Sequence, residues 1–417
     1  MKGMAHERIE VNAIRDRGLK VLTFTTLFPN HRFPLHGLFV QARMEEVAKL
    51  CRLEVVAPVP WFPPLRFGER YYNYSQVARE EWIGRLPVYH PRFFLLPKVG
   101  KELDGLLLFL GAYRAVKKLQ QRFSFDIVDV HYAYPDGYAG YLLARALGKP
   151  YTITVRGTDV NLLVQYPLRR RLILTALSKA DRVIAVCQAL KEAAVRIGVP
   201  EEKISVIPNG VDVTKFFPVD RREARKLADL PLDRRIILSV GHLCERKGFH
   251  LLIDGMRELI KRVGPNLLLV IVGGNAHEGD FKAYLQERIA RQGLENHVVL
   301  AGPKPPEELR IWYSAADLFC LASSREGWPN VCFESLACGV PVIATPVWGT
   351  PEVICSPDYG LLVGERSVTA LVAGIEQGLK REWDSEKMVA YARQNTWQGV
   401  AEKVIKVFES VHQKQAL

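Results

Sequence analysis

The chain has 417 residues, 48% of them hydrophobic and 24% charged; this composition is that of a folded protein, and the length exceeds what one hydrophobic core usually organises, so we expect two domains. No segment has the roughly 18 uninterrupted apolar residues that a membrane span needs, and the seven cysteines lack the paired spacing of a zinc or disulfide framework. The net charge of +12 lies entirely in residues 1–215, where 32 Lys and Arg stand against 20 Asp and Glu.

Residues 1–18 form a polar N-terminal extension without the apolar stretch of a secretory signal, so we expect a cytoplasmic protein. From Lys20 onward, short β-branched runs alternate with helix-like segments. This alternation predicts a parallel sheet covered by helices on both faces, a Rossmann-like domain over residues 19–214. The predicted strands are 21–28, 53–59, 127–132, 151–155, 182–186 and 204–207.

The alternation lapses in residues 61–100, a long insertion rich in Pro and aromatic residues and containing several Arg and Lys. Insertions of this length are usually functional or disordered. Aromatic side chains beside cations suit a membrane interface or a sugar-binding surface, and packing against the first domain is an equal alternative.

The pattern restarts after residues 208–212, which we interpret first as structure near the crossing between domains. The second set of predicted strands is 236–240, 267–272, 298–300, 318–321 and 342–344. It predicts a second Rossmann-like domain over residues 215–396. Apolar residues at helical spacing in the tail predict an amphipathic helix over 397–417 that docks back on the first domain.

Two carboxylates, Glu326 and Glu334, follow the strand predicted at 318–321. In open α/β sheets ligands bind beyond the carboxyl ends of strands. Backbone N–H groups of a loop and of a helix N-terminus suit a phosphate, and each carboxylate can accept hydrogen bonds from the neighbouring hydroxyls of a sugar or a ribose. The residues that begin the intervening segment are Gly327, Trp328, Pro329 and Asn330.

The run from Arg325 to Glu334, preceded by Ser323 and Ser324, resembles the E-x7-E signature of the group 1 (family four) retaining glycosyltransferases. The pattern is most similar to members that build bacterial cell-surface polysaccharides. The resemblance implies the GT-B fold, in which two Rossmann-like, doubly wound parallel-sheet domains face a central cleft. It also implies that Glu326 holds the donor sugar, that Glu334 holds its ribose, and that the residues from Gly327 to Asn330 contact the donor.

The segment from Ser239 to Gly248 resembles the stretch in which this family holds the donor diphosphate. Lys247 matches the lysine of that pattern, whereas His242 stands where the family has an arginine. The resemblance therefore assigns the diphosphate to Lys247, with Arg246 as the second cation, and places Gly241 and His242 beside the donor.

Further strand ends match the same family in order. Gly273 and Gly274 resemble a loop that contacts the nucleotide, and Gly302 ends the strand where the family cradles the nucleobase. Gly37 follows the first strand and opens its helix, where relatives bring backbone against the phosphate. Its neighbour His36 is a candidate contact in the cleft.

His131 and the run from Arg156 to Asp159 follow consecutive strands of the first domain. A lone histidine at a strand end is more often structural than catalytic, but the family places one here against the sugar and the acceptor. The resemblance makes His131 a candidate catalytic contact, and Arg156 and Asp159 are candidates for the acceptor side of the cleft.

The implied reaction transfers a sugar from a UDP- or GDP-sugar to a hydroxyl, with retention of configuration and without a cofactor or metal, since no Asp-x-Asp motif stands in a suitable loop. The basic first domain favours a lipid-linked or membrane-associated glycan acceptor and a peripheral place on the inner face of the cell membrane. A basic surface that only keeps the protein soluble is an equal alternative. No nucleic-acid-binding signature accompanies the charge.

Three other functions stay open at this point. A transferase with a soluble small-molecule acceptor would not bind membranes. A dinucleotide-dependent oxidoreductase shares the Rossmann-like domains, but no G-x-G-x-x-G follows a first strand. A non-catalytic nucleotide-sugar-binding protein would have damaged motifs, and only His242 departs from the pattern.

Overall fold

The computed structural model describes residues 18–63, 69–96, 99–275 and 281–414. The chain divides into two compact units: unit 1 comprises Met1–Asn209 with Trp397–Leu417, and unit 2 comprises Gly210–Thr396. The boundary thus follows Asn209, five residues before the predicted position. All but the last residue of the predicted polar extension, 1–18, lie outside the described residues.

Unit 1 contains a sheet with the strand order β10-β9-β8-β7-β1-β2-β5-β4. All neighbours in it are parallel except β4 and β5. Its strands are β1 (Lys20–Phe24), β2 (Arg52–Val56), β4 (Glu80–Ile83), β5 (Leu86–Tyr89), β7 (Ile127–His131), β8 (Tyr151–Val155), β9 (Arg182–Ala185) and β10 (Ile204–Val206), and a separate parallel pair is formed by β3 (Val59–Pro60) and β6 (Arg92–Phe93).

The helices of unit 1 are α1 (Leu38–Val47), α2 (Glu69–Ser75), α3 (Asp104–Phe123), α4 (Tyr138–Leu147), α5 (Thr158–Asn161), α6 (Pro167–Lys179), α7 (Gln188–Arg196) and, from the end of the chain, α16 (Trp397–Gln413). β7 and β8 are buried at every position, as expected of strands covered on both faces. The predicted Rossmann-like character of the first domain is confirmed.

The insertion at 61–100 is more regular than the sequence suggested. Its residues 80–89 form the antiparallel hairpin of β4 and β5, which extends the sheet, with Ile83 paired to Leu86 across a two-residue turn. Leu86 and Val88 are buried in the core of unit 1, whereas Trp82 is 71% exposed. Short edge strands of this kind carry too few apolar residues to be recognised by periodicity.

Unit 2 contains a fully parallel sheet with the order β13-β12-β11-β14-β15-β16. Its strands are β11 (Arg235–Val240), β12 (Leu267–Val272), β13 (Val298–Gly302), β14 (Leu318–Leu321), β15 (Val342–Ala344) and β16 (Gly360–Leu362). Its helices are α8 (Arg221–Leu227), α9 (Phe249–Val263), α10 (Phe281–Arg291), α11 (Leu309–Ala315), α12 (Asn330–Ala337), α13 (Thr350–Val353), α14 (Val368–Lys380) and α15 (Ser385–Gln394).

The strand β12 shows why this sheet is buried on both faces. All six of its residues are buried, and alternate side chains enter two different cores. Leu268 and Val270 pack in one core, whereas Leu269 and Ile271 pack in the other. Such a continuous apolar run is typical of a central parallel strand, and it explains why this strand was predicted to within its exact bounds.

The C-terminal helix α16 packs in the core of unit 1. Val400, Val404 and Phe408 repeat every fourth residue and share a hydrophobic cluster with Val40 and Met44 of α1. The tail is therefore part of the first unit, although it follows the second in sequence.

Two further features concern the helices and the cysteines. Among the described residues, no helix combines the length and the apolar character needed to cross a bilayer. All seven cysteines are free thiols, and all except Cys355 are buried, as expected from their apolar surroundings in the sequence.

Candidate functional site

The first candidate site lies at the carboxyl ends of β11 and β14, which are neighbours in the sheet of unit 2. The chain leaves β11 through a short helical turn, Glu245–Lys247, before α9, and it leaves β14 through the loop that precedes α12. The two loops meet: the backbone N–H of Ser324 donates to the carbonyl of Arg246 at 2.8 Å. Two motifs that lie far apart in sequence are thereby joined.

The Glu326 carboxylate is the centre of this site. Its Oε1 accepts hydrogen bonds from Lys247 Nζ at 2.6 Å and from Ser323 Oγ at 2.7 Å, and Arg246 Nη1 lies at 3.3 Å. Burial by itself would raise the pKa of Glu326, but the charges of Lys247 and Arg246 and these hydrogen bonds outweigh it and lower the pKa. The carboxylate is therefore ionised at neutral pH and fixed in orientation.

Glycines allow the two loops to approach. Gly248 has a left-handed backbone, and a Cβ built on it would lie 2.1 Å from the carbonyl oxygen of Ala322. A side chain there would push the Lys247 turn away from the loop after β14. Arg246 is also fixed across this contact, because its Nη1 donates to the carbonyl of Arg325 at 3.0 Å.

The adjacent strand ends contribute the other glycines of the predicted donor set. A Cβ on Gly273 would lie 1.8 Å from the carbonyl oxygen of Gly241, so that only glycine fits between β11 and β12. Gly273 N–H donates to the carbonyl of Gly302 at 2.9 Å, and Leu243 N–H donates to that of Gly274 at 2.9 Å. The structure thus brings the glycine loops of three neighbouring strands together. His242 is exposed within the first of them.

The loop between the two glutamates leads directly into α12. Trp328 stacks on Phe333 of that helix, with ring centroids 5.7 Å apart, and Pro329 is buried. Gly327 and Asn330 are partly buried on either side. The N-cap residue Pro329 makes no side-chain capping hydrogen bond, and the backbone N–H groups of Asn330 and Cys332 donate to the carbonyls of Trp328 and Pro329 at 3.1 and 3.0 Å. The N-terminus of α12 therefore offers an anion mainly its partial positive charge.

Glu334 is one turn further along α12. Its Oε2 accepts a hydrogen bond from the hydroxyl of Tyr313 at 2.8 Å. Burial raises the pKa of Glu334 to about 7, against the opposing effects of the Tyr313 hydrogen bond and the Lys247 charge. Near neutral pH this carboxyl therefore exchanges between a charged and a neutral form, unlike Glu326.

A second cluster lies at the carboxyl ends of β7 and β8 in unit 1. His131 is fully buried, with Nε2 2.8 Å from Asp129 Oδ2 and Nδ1 2.5 Å from Arg156 Nη2. Because a guanidinium only donates, Nδ1 accepts and the ring proton resides on Nε2, where it is donated to Asp129. Burial lowers the pKa of His131 to about 4; the Asp129 charge opposes this shift and the Arg156 charge adds to it, so the imidazole is neutral.

Both ring nitrogens of His131 are thus used within the chain. Asp129 also accepts from the Thr152 hydroxyl at 2.8 Å, and Arg156 donates through Nη1 to Asn209 at 3.0 Å. The contact of His131 with a sugar or acceptor stays a prediction. In this arrangement the ring orients Arg156.

Asp159 organises the loop in which it lies. It is fully buried and accepts hydrogen bonds from the backbone N–H groups of four residues at 2.7–3.2 Å. These residues are Ala133, Arg156, Gly157 and Val160. The bonds account for a structural role, and the predicted acceptor contact is still untested.

Gly37 and His36 lie near the end of β1. Gly37 precedes α1 in a left-handed conformation, φ 73°, and packs against the backbone of Leu27. His36 is exposed, and its Nε2 is 3.0 Å from the carbonyl oxygen of Thr26. Thr26 also binds the buried Asp136, whose pKa is raised to about 7 by burial.

Sequence reasoning missed several members of these clusters. Asp129 could have been found, since it is two residues before His131 on a strand and therefore shares its face. Arg43 is fully buried in α1 and donates to Asn209 at 3.1 Å, but it stands among apolar residues without any signal of burial. Tyr313 likewise lies in an apolar segment of α11, and its hydroxyl partner is known only from the fold.

Comparisons with known proteins show the family of this chain. The family model "Glycosyl transferases group 1" matches residues 220–395, and "Glycosyltransferase Family 4" matches residues 71–215. A Bacillus subtilis (strain 168) protein named for teichuronic acid biosynthesis, the glycosyltransferase TuaC, is 30% identical over 86% of this chain and 88% of its own length. The chain belongs to the group 1 glycosyltransferases.

Other members of this glycosyltransferase group are similar along most of the chain. The N-acetyl-alpha-D-glucosaminyl L-malate synthase of Bacillus anthracis is 28% identical over 71% of this chain and 76% of its own length. A solved structure with the same fold is that of a Thermosynechococcus elongatus sucrose-phosphate synthase, with a TM-score of 0.76 and 20% identity over 95% of this chain and 100% of that one. Another is Anabaena Alr3699/HepE in complex with UDP-glucose, with a TM-score of 0.71 and 20% identity over 94% of this chain and 100% of that one. The predicted GT-B fold class is thereby confirmed.

Proposed function

We propose that this glycosyltransferase moves a sugar from a UDP- or GDP-sugar to a hydroxyl acceptor, with retention of the anomeric configuration. The observation that carries the proposal is the Glu326 carboxylate, ionised and held by Lys247, Arg246 and Ser323. A fixed carboxylate accepts hydrogen bonds from sugar hydroxyls, and the two cations beside it suit a diphosphate. Glu334, within α12, would bind the ribose.

The charges of the site support this assignment. Lys247 and Arg246 together exceed the single charge of Glu326 by one, and the uncapped N-terminus of α12 adds partial positive charge. The leaving nucleoside diphosphate gains negative charge as its bond to the sugar breaks, so fixed cations stabilise the transition state more than the ground state. We propose that these groups take the place of a metal ion.

A protein with the same fold supports the choice of a nucleoside diphosphate sugar as the donor. HepE, which shares the fold, was crystallised with UDP-glucose. In the proposed step the bond between the anomeric carbon and the diphosphate oxygen breaks, and the acceptor oxygen bonds to the same face of that carbon. The proton of the acceptor hydroxyl passes to the leaving diphosphate.

We propose a lipid-linked or membrane-associated glycan as the acceptor, in the synthesis of a cell-surface polysaccharide, and a peripheral place on the cytoplasmic face of the membrane. The name of the TuaC relative and the basic first half of the chain support this. So do exposed leucines on α3: Leu106 and Leu110 are 42% and 59% exposed, one turn apart, and Lys117 continues the same face. Apolar side chains beside cations suit an anionic membrane surface.

A soluble acceptor is the second candidate, because the Bacillus anthracis relative is named for transfer to L-malate. Sedimentation with phosphatidylglycerol vesicles separates the two acceptors. Binding that is lost when Leu106 and Leu110 are replaced by Ser supports the membrane acceptor, and failure of the wild type to bind supports the soluble one.

The donor assignment is tested by thermal stabilisation of the purified protein with UDP-, GDP- and ADP-sugars, free nucleotides and NAD, in EDTA. We expect one sugar nucleotide to raise Tm in the wild type but not in Lys247→Ala. A rise only when a divalent cation is added would contradict metal independence. No rise with any sugar nucleotide would favour the non-catalytic alternative or another donor site.

A further inference from the structure

A cavity of about 390 Å³ lies in unit 1, outside both clusters described above. It is walled by α3, by the ends of β2 and β5, and by the insertion around β4 and β6. We call it the insertion pocket. Its cationic lining consists of Arg79, Arg92, Arg114, Lys118 and Arg122.

Few carboxylates balance the positive charges of the insertion pocket. Glu80 is the one carboxylate among its lining residues, and Arg122 is paired outside the lining with Glu54 at 3.3 Å. Within the described part of the chain, no ion pair reaches Arg79, Arg114 or Lys118. The lining thus carries five positive charges against the single negative charge of Glu80, and an anion in the cavity would reduce the repulsion among them.

Arg92, which also lines the pocket, has an unsatisfied hydrogen-bond donor. One of its guanidinium nitrogens donates to the carbonyl of Val77, whereas Nη1 is buried and has no hydrogen-bond partner among the described residues. A buried guanidinium N–H without an acceptor is costly. His90, also in the lining, does not add charge, because its ring is engaged by Ala57 and Glu81 and burial lowers its pKa.

The rest of the lining is apolar and comes mainly from Val56, Pro91, Ala115 and Leu119. A cavity with this composition fits an anion attached to a carbon skeleton, because the cations can contact the anion and the apolar side chains can contact the carbon atoms. A single carboxylate would neutralise one of the cations, whereas a phosphomonoester or diphosphate carries two or more charges and several oxygens for the planar guanidinium groups.

We propose that the insertion pocket is a second anion site, which binds a phosphoryl group carried by an organic molecule. The phosphoryl group could belong to a membrane lipid or to a soluble phosphorylated ligand, and the chemistry of recognition is the same for both. The proposal concerns unit 1 alone and stands whether or not the donor assignment is correct.

The test compares two double variants with equal loss of charge. Arg114→Gln/Lys118→Gln removes two exposed cations of the pocket. Arg170→Gln/Arg171→Gln removes two exposed cations of the same unit outside its lining. Pyrophosphate binding is measured by calorimetry at low salt, and Lys247→Ala identifies any binding at the donor site.

We expect pyrophosphate to bind a site that survives Lys247→Ala, with at least tenfold weaker binding in the pocket variant and unchanged binding in the control. Phosphatidylglycerol and phosphatidylcholine vesicles form the second arm. Vesicle binding selective for phosphatidylglycerol and lost in the pocket variant assigns the phosphoryl group to a lipid, and pyrophosphate binding alone assigns it to a soluble ligand. Equal weakening in both double variants, or no binding in either arm, would overturn the proposal.

Discussion

The buried charges of the two units are arranged differently. In unit 1 Asp129 and His131 are at most 1% exposed, and their side chains bond to each other, to Thr152 and to Arg156. In unit 2 Glu326 and Lys247 retain about a tenth of their side-chain exposure and lie beside an uncapped helix N-terminus. A closed set of charges maintains a structure, whereas a partly open set can exchange its partners for a ligand. The comparison predicts that substitutions in unit 1 mainly reduce stability and that those in unit 2 mainly reduce turnover.

The largest effect is expected at Glu326. Replacing it by Gln removes the charge that orients Lys247 and the strongest acceptor for the donor sugar, and we expect transfer to fall by about a thousandfold, a size typical of electrostatic groups at reacting centres. Initial rates with the stabilising sugar nucleotide measure this. Glu245 lies in the same turn as Lys247, but its side chain is exposed and bonds to Arg366. Glu245→Gln is therefore the matched control and should keep wild-type turnover. A Glu326→Gln variant with wild-type rates would exclude this carboxylate from the reaction.

The next effect is on the stability of unit 1. Asp129→Ala leaves His131 without its acceptor and removes a negative charge that stabilises the buried Arg43 and Arg156, so we expect the free energy of unfolding to fall by about 3–5 kcal/mol. Urea unfolding gives the value. Asp126→Ala, which removes one bond to the backbone of Lys20 at 2.8 Å, should cost no more than about 1–2 kcal/mol. An equal loss of unfolding free energy in the two variants would show that the buried charges of unit 1 contribute no more to stability than a single hydrogen bond at a strand end.

A third effect concerns pH. The ribose would donate hydrogen bonds to Glu334, and the ionised carboxylate accepts more of them than the protonated form. Because the pKa of Glu334 is raised to about 7, we expect donor affinity to rise by about tenfold from pH 6 to pH 8. Titrations at both pH values test this, and Glu334→Gln should remove the dependence. A slope that persists in Glu334→Gln would assign the titration to another group.

The smallest effect is expected at His242. The resemblance to the group 1 glycosyltransferases implies an arginine at this position, and in this chain the His242 side chain is exposed. His242→Arg should therefore change kcat/KM by less than about threefold. A folded but inactive variant would mean that the diphosphate is held by a different arrangement of the Lys247 loop.

The sequence predicted the fold where the pattern is strong and failed where it is short. The predicted bounds of β12 are those observed, because six consecutive apolar residues rarely form anything other than a buried strand. The hairpin of β4 and β5 was missed because each strand has four residues and one exposes Trp82. In unit 2 Glu326 contacts Lys247 and Arg246, since the two motifs occupy neighbouring strand ends. In unit 1 the partners of His131 include Arg156, which directly follows the next strand, β8, and the burial of both residues is evident only from the fold.

The central claim is that Lys247 and Glu326 form the diphosphate and sugar site of the donor. It is tested most directly by calorimetric titration of the stabilising sugar nucleotide into the wild type, Lys247→Ala and Glu245→Gln, with circular dichroism to show that each is folded. We predict at least thirtyfold weaker binding in Lys247→Ala and no change in Glu245→Gln. Equal affinity in all three folded proteins would contradict the claim and place the donor elsewhere.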